Sequence, residues 1–305
     1  MGGRIADWAA DRGYGAGWRF VRAMPPRIAS GAFRVGADIT TRRGGRGVRQ
    51  LRANLARVVP DATAHELDDL VRAGLRSYAR YWCEVFRLPS LDPTEIHRRM
   101  DPLVTGMEPA WEALDAGRGV VFALPHSGNW DMAGVWFLES LRLRGREPVF
   151  TTVVERLRPQ QLYRRFVDYR ESLGFEVVVA EDGAATYRTL MKRLSAGGAV
   201  CLVADRDLSG FGATVSFFGE SASFPRGPAR LAALTGALLL PAFPQFTPDG
   251  WALPLGEPIT VPDRATVDKA TQAIADAFTG LITRAPADWH MLQPVFTADR
   301  VSVVS

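Results

Sequence analysis

Five short apolar runs, at 119–124 (GVVFAL), 149–154, 175–180, 199–204 and 238–243, constrain this chain more than any other feature. Each suits a buried strand, and helical stretches at 132–143, 159–173, 185–196 and 228–235 separate most of them. Apolar strands alternating with helices are what a sheet buried on both faces requires. The expected fold class is therefore α/β, with a central, mostly parallel sheet flanked by helices on both faces. Thr63 and Glu66 form a T-x-x-E capping box ahead of an amphipathic helix carrying Leu67, Leu70, Val71, Leu75, Tyr78, Trp82, Val85 and Phe86. Short helices follow near 94–100 and 108–116. Residues 251–255 suit an antiparallel edge strand, and 267–283 a closing helix.

Charge divides the chain. Residues 1–60 hold twelve arginines against three acids, a net +9, so the remainder of a chain totalling +4 carries −5. The same segment carries Trp8, Tyr14, Trp18, Phe20, Met24, Ile28 and Phe33, with two short helices expected on either side of Pro25 and Pro26 and a third entered from the basic turn at 42–57. The division expected is a basic, amphipathic, membrane-associating helical head over 1–60 and an α/β body over 61–305. An ordinary helical cap on the core is the competing reading of the head. The longest apolar run, 231–243, is broken by Thr235, Gly236 and Pro241 and falls short of a bilayer span. Residues 1–10, with Asp7 and Trp8, lack the apolar run of a secretory signal, so a cytoplasmic product is expected. Cys83 and Cys201 have no C-x-x-C spacing, and His65, His97, His126 and His290 fall in no zinc pattern, so neither a disulfide framework nor a metal site is expected.

Several chemistries are excluded by inspection. Neither Lys192 nor Lys269 precedes Ser or Thr, so there is no phosphate-binding loop of the G-K-[ST] kind, and no serine lies in G-x-S-x-G. Gly13, Gly15 and Gly17 have the wrong spacing for a dinucleotide fingerprint. What remains is PHSGNWD at 125–131, placed directly after the first strand and before a helix, where open α/β sheets present ligands. His126 is the candidate general base. Asp131, five residues on, is its candidate orienting carboxylate, holding one imidazole nitrogen while the other takes a proton. A satisfied histidine in a turn is the bland alternative. Asp205, Arg206 and Asp207 follow the 199–204 strand and should share the rim with His126, Asp205 handling the acceptor. Glu155, Arg156, Arg158, Arg164, Arg165 and Arg170 surround the helix after the second strand. Most such charges form a solvated face, but a few arginines suit phosphate groups.

The segments ALPHSGNWDMAG, VERLRPQQLYRRFVDYRESLGFEV, CLVADRDLSG, FFGESASFPRGPARLAALTGA and PADWHMLQP resemble the lysophospholipid-acyltransferase-like superfamily. The similarity runs over nearly the whole chain and is closest to actinobacterial phosphatidylinositol mannoside acyltransferases, with lipid A late acyltransferases as cousins. The resemblance implies an acyl-CoA donor as substrate with no permanently bound cofactor. It also implies an anionic glycolipid acceptor, acylated at a sugar hydroxyl expected to be that of mannose, and peripheral attachment to the cytoplasmic face of the plasma membrane, without nucleic acid. His126 and Asp131 match the family's catalytic pair. Asp205 stands where the family often has Glu, and is included with them. Glu155 and Arg170 match polar positions near the acceptor, and Arg164 and Arg206 join them as substrate-binding residues. Arg226 departs from a small residue in the FPxGPA block, which implies an altered rim. Lipid A or another glycolipid as acceptor, and a non-catalytic membrane-binding protein, are the alternatives.

Overall fold

The computed structural model describes residues 20–154, 160–179, 183–207 and 210–301. Its centre is a five-stranded sheet in the order β4 (Phe175–Val179), β3 (Phe150–Val154), β5 (Ala199–Val203), β2 (Val120–Leu124) and β8 (Leu238–Pro241). Every pairing in it is parallel. These are the five apolar runs of the sequence, trimmed by one or two residues at their ends.

Period-two alternation explains why the sheet is covered on both sides. Val121, Ala123, Val200 and Leu239 point into one core with α2 (Arg46–Val58), α3 (Ala64–Arg87), α8 (Gly183–Ser195), α9 (Gly227–Thr235) and α10 (Val267–Arg284). Val120, Phe122, Leu124, Leu238 and Leu240 point into the other. There they meet α4 (Pro93–Met100), α5 (Glu108–Asp115), α6 (Trp130–Leu143) and the C-terminal half of α3. Helix α3 therefore wraps from one core to the other. Its start is the expected capping box, with Thr63 and Glu66 bonding reciprocally.

Three features differ from the sequence reading. First, residues 251–254 pair elsewhere, and only the end of the segment reaches the edge of the main sheet, where Leu255 bridges Ala242 antiparallel just past β8. Residues 251–254 form β10 (Trp251–Pro254), which pairs in parallel with β1 (Val104–Thr105) and antiparallel with β9 (Gln245–Phe246) in a separate three-stranded sheet. Second, an unanticipated antiparallel hairpin joins β6 (Ala213–Phe217) to β7 (Glu220–Phe224). Its two-residue turn puts Phe218 at φ 48° and Gly219 at φ 79°, the positive-φ geometry that matches strand twist, built here without an Asn-Gly or Asp-Gly signal.

Third, residue 60 is not a break in the core. Helix α1 (Pro26–Arg43) starts with Pro26 in its first turn and packs along α3. On α2, Leu51 and Leu55 are fully buried among residues of the body, including Trp289, Met291 and Phe296. Asn54 on the same face donates to the Met291 and Gln293 carbonyls. The arginines that make this segment basic disguise a helix with a deep apolar stripe. Leu55→Ala should lower the unfolding free energy of the whole chain by about 2–5 kcal/mol, the cost of a buried leucine cavity. Denaturant titration checks this: a single, destabilised transition is expected, whereas an unchanged midpoint would mean α2 is a detachable head.

Candidate active site

The parallel register of β2 and β5 creates the site. Leu124 pairs with Val203, and the Ala204 amide donates to the Leu124 carbonyl at 2.7 Å. Two residues beyond each strand end, His126 and Asp205 therefore face each other. The Asp205 Oδ1 atom lies 2.6 Å from His126 Nδ1, and its Oδ2 accepts the His126 backbone N–H at 2.9 Å. Trp289 completes the set, its indole Nε1 donating to Oδ2 at 2.9 Å. Asp205 is wholly buried while the His126 side chain is 45 % exposed. Burial alone would raise the Asp205 carboxyl, but the adjacent imidazole and the three hydrogen bonds outweigh it and hold the group below the ordinary carboxylate range. With Nδ1 engaged, Nε2 is the nitrogen presented to the cleft.

This corrects the expectation drawn from His-x4-Asp spacing. Asp131 does not orient His126, because α6 begins at Trp130, capped by the Asn129 side chain on the Met132 amide, and carries Asp131 away in its first turn. There its buried carboxylate accepts from Arg170 Nε at 2.9 Å and Tyr81 Oη at 3.2 Å. Burial, followed by the charge of Asp131, pushes the Tyr81 phenol well up, which keeps it a donor. Asp205, expected on the same rim, lies wholly buried against His126.

A C-terminal strap holds the loop from outside. The Gly128 amide donates to the Asp288 carbonyl at 2.9 Å, and the His290 amide to the His126 carbonyl at 2.7 Å. Gly128 has φ 49°, and a Cβ there would meet the Pro244 carbonyl oxygen at 2.3 Å, so only glycine fits. Below the strap, Ser77 Oγ donates to Asp288 at 2.5 Å and lies 2.8 Å from His290 Nε2. Burial pushes the Asp288 carboxyl up, and drives the His290 imidazole down to about 3. The sequence pointed to this strap only as the block PADWHMLQP, without roles for Asp288, Trp289 or His290.

Two cavities meet here. A cleft of about 280 Å³ is lined by His126, Ser127, Arg170, Arg206, Tyr78, Tyr81, Trp82 and His290, among others. Behind it lies an apolar cavity of about 40 Å³ lined by Phe122, Leu124, Trp136, Phe137, Phe150, Cys201 and neighbours. Arg170 and Arg206, expected as substrate contacts, both line the cleft, and Arg206 donates to Gln293. Arg164 is exposed on α7 (Gln160–Ser172) and is not among the cleft residues. Glu155, Arg156 and Arg158 lie outside the described residues. Arg226 pairs with Asp268 and donates to the carbonyls of Phe211 and Gly212, bracing the loop after β5 rather than the cleft rim.

An exposed imidazole on a buried carboxylate, at the carboxyl end of a parallel sheet and next to an apolar cavity, is an arrangement for acid–base transfer of an apolar group. The bacterial lipid A biosynthesis acyltransferase family matches residues 6–298, and the chain belongs to that family of acyltransferases. It is 50% identical to a phosphatidylinositol mannoside acyltransferase of Mycolicibacterium smegmatis over 300 residues, covering 98% of this chain and 94% of that protein. A phosphatidylinositol mannoside acyltransferase of Mycobacterium tuberculosis H37Rv is 47% identical over 294 residues, covering 96% and 89%.

Asp205→Asn should cut turnover roughly 10²–10⁴-fold at unchanged secondary structure, since an amide supports the wrong imidazole tautomer. Near wild-type rates would contradict the pairing. His290 supplies a second check. Its folded value lies below the ordinary 6.5, so the unfolded chain binds the extra proton and stability is lost as pH falls from about 6.5 towards 3, by up to ~1.4 kcal/mol per unit from this group. The raised Asp288 carboxyl acts in the opposite sense over the window above 3.8. Denaturation at pH 7 and 4.5 should show a shallower pH dependence for His290→Gln than for the wild type. Equal slopes would mean that the imidazole is protonated in the fold.

Proposed function

We propose that this acyltransferase moves a long acyl chain from acyl-CoA to a mannose hydroxyl of a phosphatidylinositol mannoside, acting at the cytoplasmic face of the plasma membrane as a peripheral protein. The observation that carries the reading is the position of the His126–Asp205 pair, at the mouth of a polar cleft with an apolar cavity behind it. The polar cleft suits a sugar, and the apolar lining behind it suits an acyl chain that displaces part of that lining. The names of the two mycobacterial relatives support the acceptor.

The chemistry follows from the geometry. Nε2 of His126 takes the proton of the sugar hydroxyl as its oxygen attacks the thioester carbonyl, and Asp205 stabilises the imidazolium that forms. The tetrahedral intermediate collapses, the carbon–sulfur bond breaks, and the departing thiolate of coenzyme A recovers the proton from His126. The Gly128 amide is already committed to the strap, so Ser127 and Asn129, at the start of α6, carry the loop's other amides for an oxyanion. Arg206 adds a positive charge at the same rim, suited to phosphate or to the oxyanion.

Membrane attachment is supported by α1. Ile28, Val35 and Ile39, spaced seven and four residues apart, are 60%, 58% and 42% exposed on its outer face. Arg27, Arg34, Arg42 and Arg43 lie on the same helix. That combination suits a helix lying in an anionic bilayer surface. An apolar groove lined by Phe20, Met24, Phe33, Leu75 and Phe86 runs between α1 and α3 and shares Tyr78, Trp82 and Leu292 with the cleft. The groove gives lipid tails a route from the bilayer to His126. Trp8, Tyr14 and Trp18 of the expected head lie outside the described residues.

Two measurements test the reading. Release of coenzyme A from palmitoyl-CoA should require a glycolipid acceptor and fall roughly 10²–10⁴-fold in His126→Ala. Activity with lipid A but not with phosphatidylinositol mannoside would move the acceptor to the other branch of the family. No turnover with any acceptor would leave a binding protein. On liposomes, Ile28→Ser with Val35→Ser should weaken binding even at high salt, while Arg→Gln changes on α1 should weaken it at low salt only. Equal binding of all variants to anionic and neutral vesicles would remove α1 from the membrane contact.

A further inference from the structure

Trp130 is the one residue among those described that lines both the catalytic cleft and the apolar cavity. We infer that its indole is a gate between the two, held shut by the cluster of Arg170, Asp131 and Tyr81 and opened by a long acyl chain. This rests on the acyl-donor reading above.

The cavity behind the indole has a volume of about 40 Å³, room for about three waters at ~10–15 Å³ each. A long chain can enter only if the lining moves. Most of that lining is fixed. Phe122, Leu124 and Cys201 belong to the central strands β2 and β5. On the opposite wall α6 is pressed against aromatic rings: a Cβ on Gly134 would meet Phe175 at 2.6 Å and Phe150 at 2.9 Å. Trp130, half-buried in the first turn of α6, is the lining side chain that also has the cleft on its other side.

What holds the indole is specific. The Arg170 guanidinium carbon lies 4.2 Å from the centre of the Trp130 ring. Arg170 is only 8% exposed, and its Nε is bonded to Asp131, whose other oxygen takes the Tyr81 hydroxyl. A cation–π contact made by a guanidinium so anchored fixes a rotamer, and an entering chain that buries apolar surface has enough free energy to break it. Asp131 thereby acquires a role that the pairing of His126 with Asp205 had left vacant. It is a positioning residue acting through Arg170 on Trp130. In the closed state the gate keeps water from the apolar cavity, and only donors long enough to reach into the cavity need to open it.

The test uses the full chain and two donors, palmitoyl-CoA and butyryl-CoA. The chain has eight tryptophans, so the fluorescence change of the wild type minus that of Trp130→Phe isolates the gate. Palmitoyl-CoA should produce a saturable difference signal, and butyryl-CoA none. In steady-state assays, Trp130→Ala and the milder Tyr81→Phe should both raise the palmitoyl-to-butyryl ratio of kcat/KM, mainly through KM, by about fivefold for the full removal, the size expected from losing one partly buried cation–π contact. Identical signals from wild type and Trp130→Phe, or a ratio unchanged in both kinetic variants, would overturn the gate. If wild type turns over both donors without a palmitoyl-specific Trp130 signal, the gate falls and the acyltransferase reading stands. If neither donor is turned over, the donor reading falls and takes the gate with it.

Discussion

A carboxylate with no exposure to water is tolerable inside a protein only when its oxygens are met by donors, and Asp205 is met three times, twice by His126 and once by Trp289. Each partner arrives from a different part of the chain. His126 comes from the end of β2, Asp205 from the end of β5, and Trp289 from the strap after α10. The His126 imidazole is therefore aligned by the same contacts that close the fold. The strap also holds the loop by main-chain hydrogen bonds at Gly128 and His290, and Asn54 of α2 holds the strap. Helix α2, the strap and the loop carrying His126 thus form one connected support.

The second constraint is that two unlike environments must touch at one carbonyl carbon. Under the proposed function, a sugar hydroxyl and the phosphates of a donor need the charged cleft, while an acyl chain needs an apolar wall. The carboxyl end of a parallel sheet supplies both. Its loops carry the polar residues, and the sheet face just behind them is covered by apolar side chains. Here Phe122, Leu124 and Cys201 face the apolar cavity only a few residues from His126 and Asp205. The short path from strand interior to loop is what makes a transfer from an apolar to a polar partner geometrically direct.

Much of this was legible before the structure. The five apolar runs predicted the sheet because strands buried on both faces have no polar alternation to blur them, and Thr63 with Glu66 marked a helix start by a local mechanism. His126 was visible as a polar residue placed at a strand end. Its partner was misread because Asp131 is near in sequence, whereas proximity in a parallel sheet is set by register, and register joins residues 79 apart. Asp205 was placed on the correct rim, but its burial depends on Trp289, more than eighty residues further on. The hairpin at Phe218 and Gly219 lacked the usual turn residues, and the leucines of α2 were masked by the arginines between them. In each case the missing information was long-range packing rather than local propensity.

The central claim is direct transfer to a glycolipid, with His126 as base and no acyl group passing through the protein. Mass spectrometry of both lipid and protein after a single turnover with labelled palmitoyl-CoA and phosphatidylinositol mannoside tests it most directly. The account predicts one labelled palmitoyl group on the glycolipid, none on the protein at any time, and no product with His126→Ala. A labelled acyl group on the protein, or a labelled glycolipid formed at wild-type rate without His126, would contradict it.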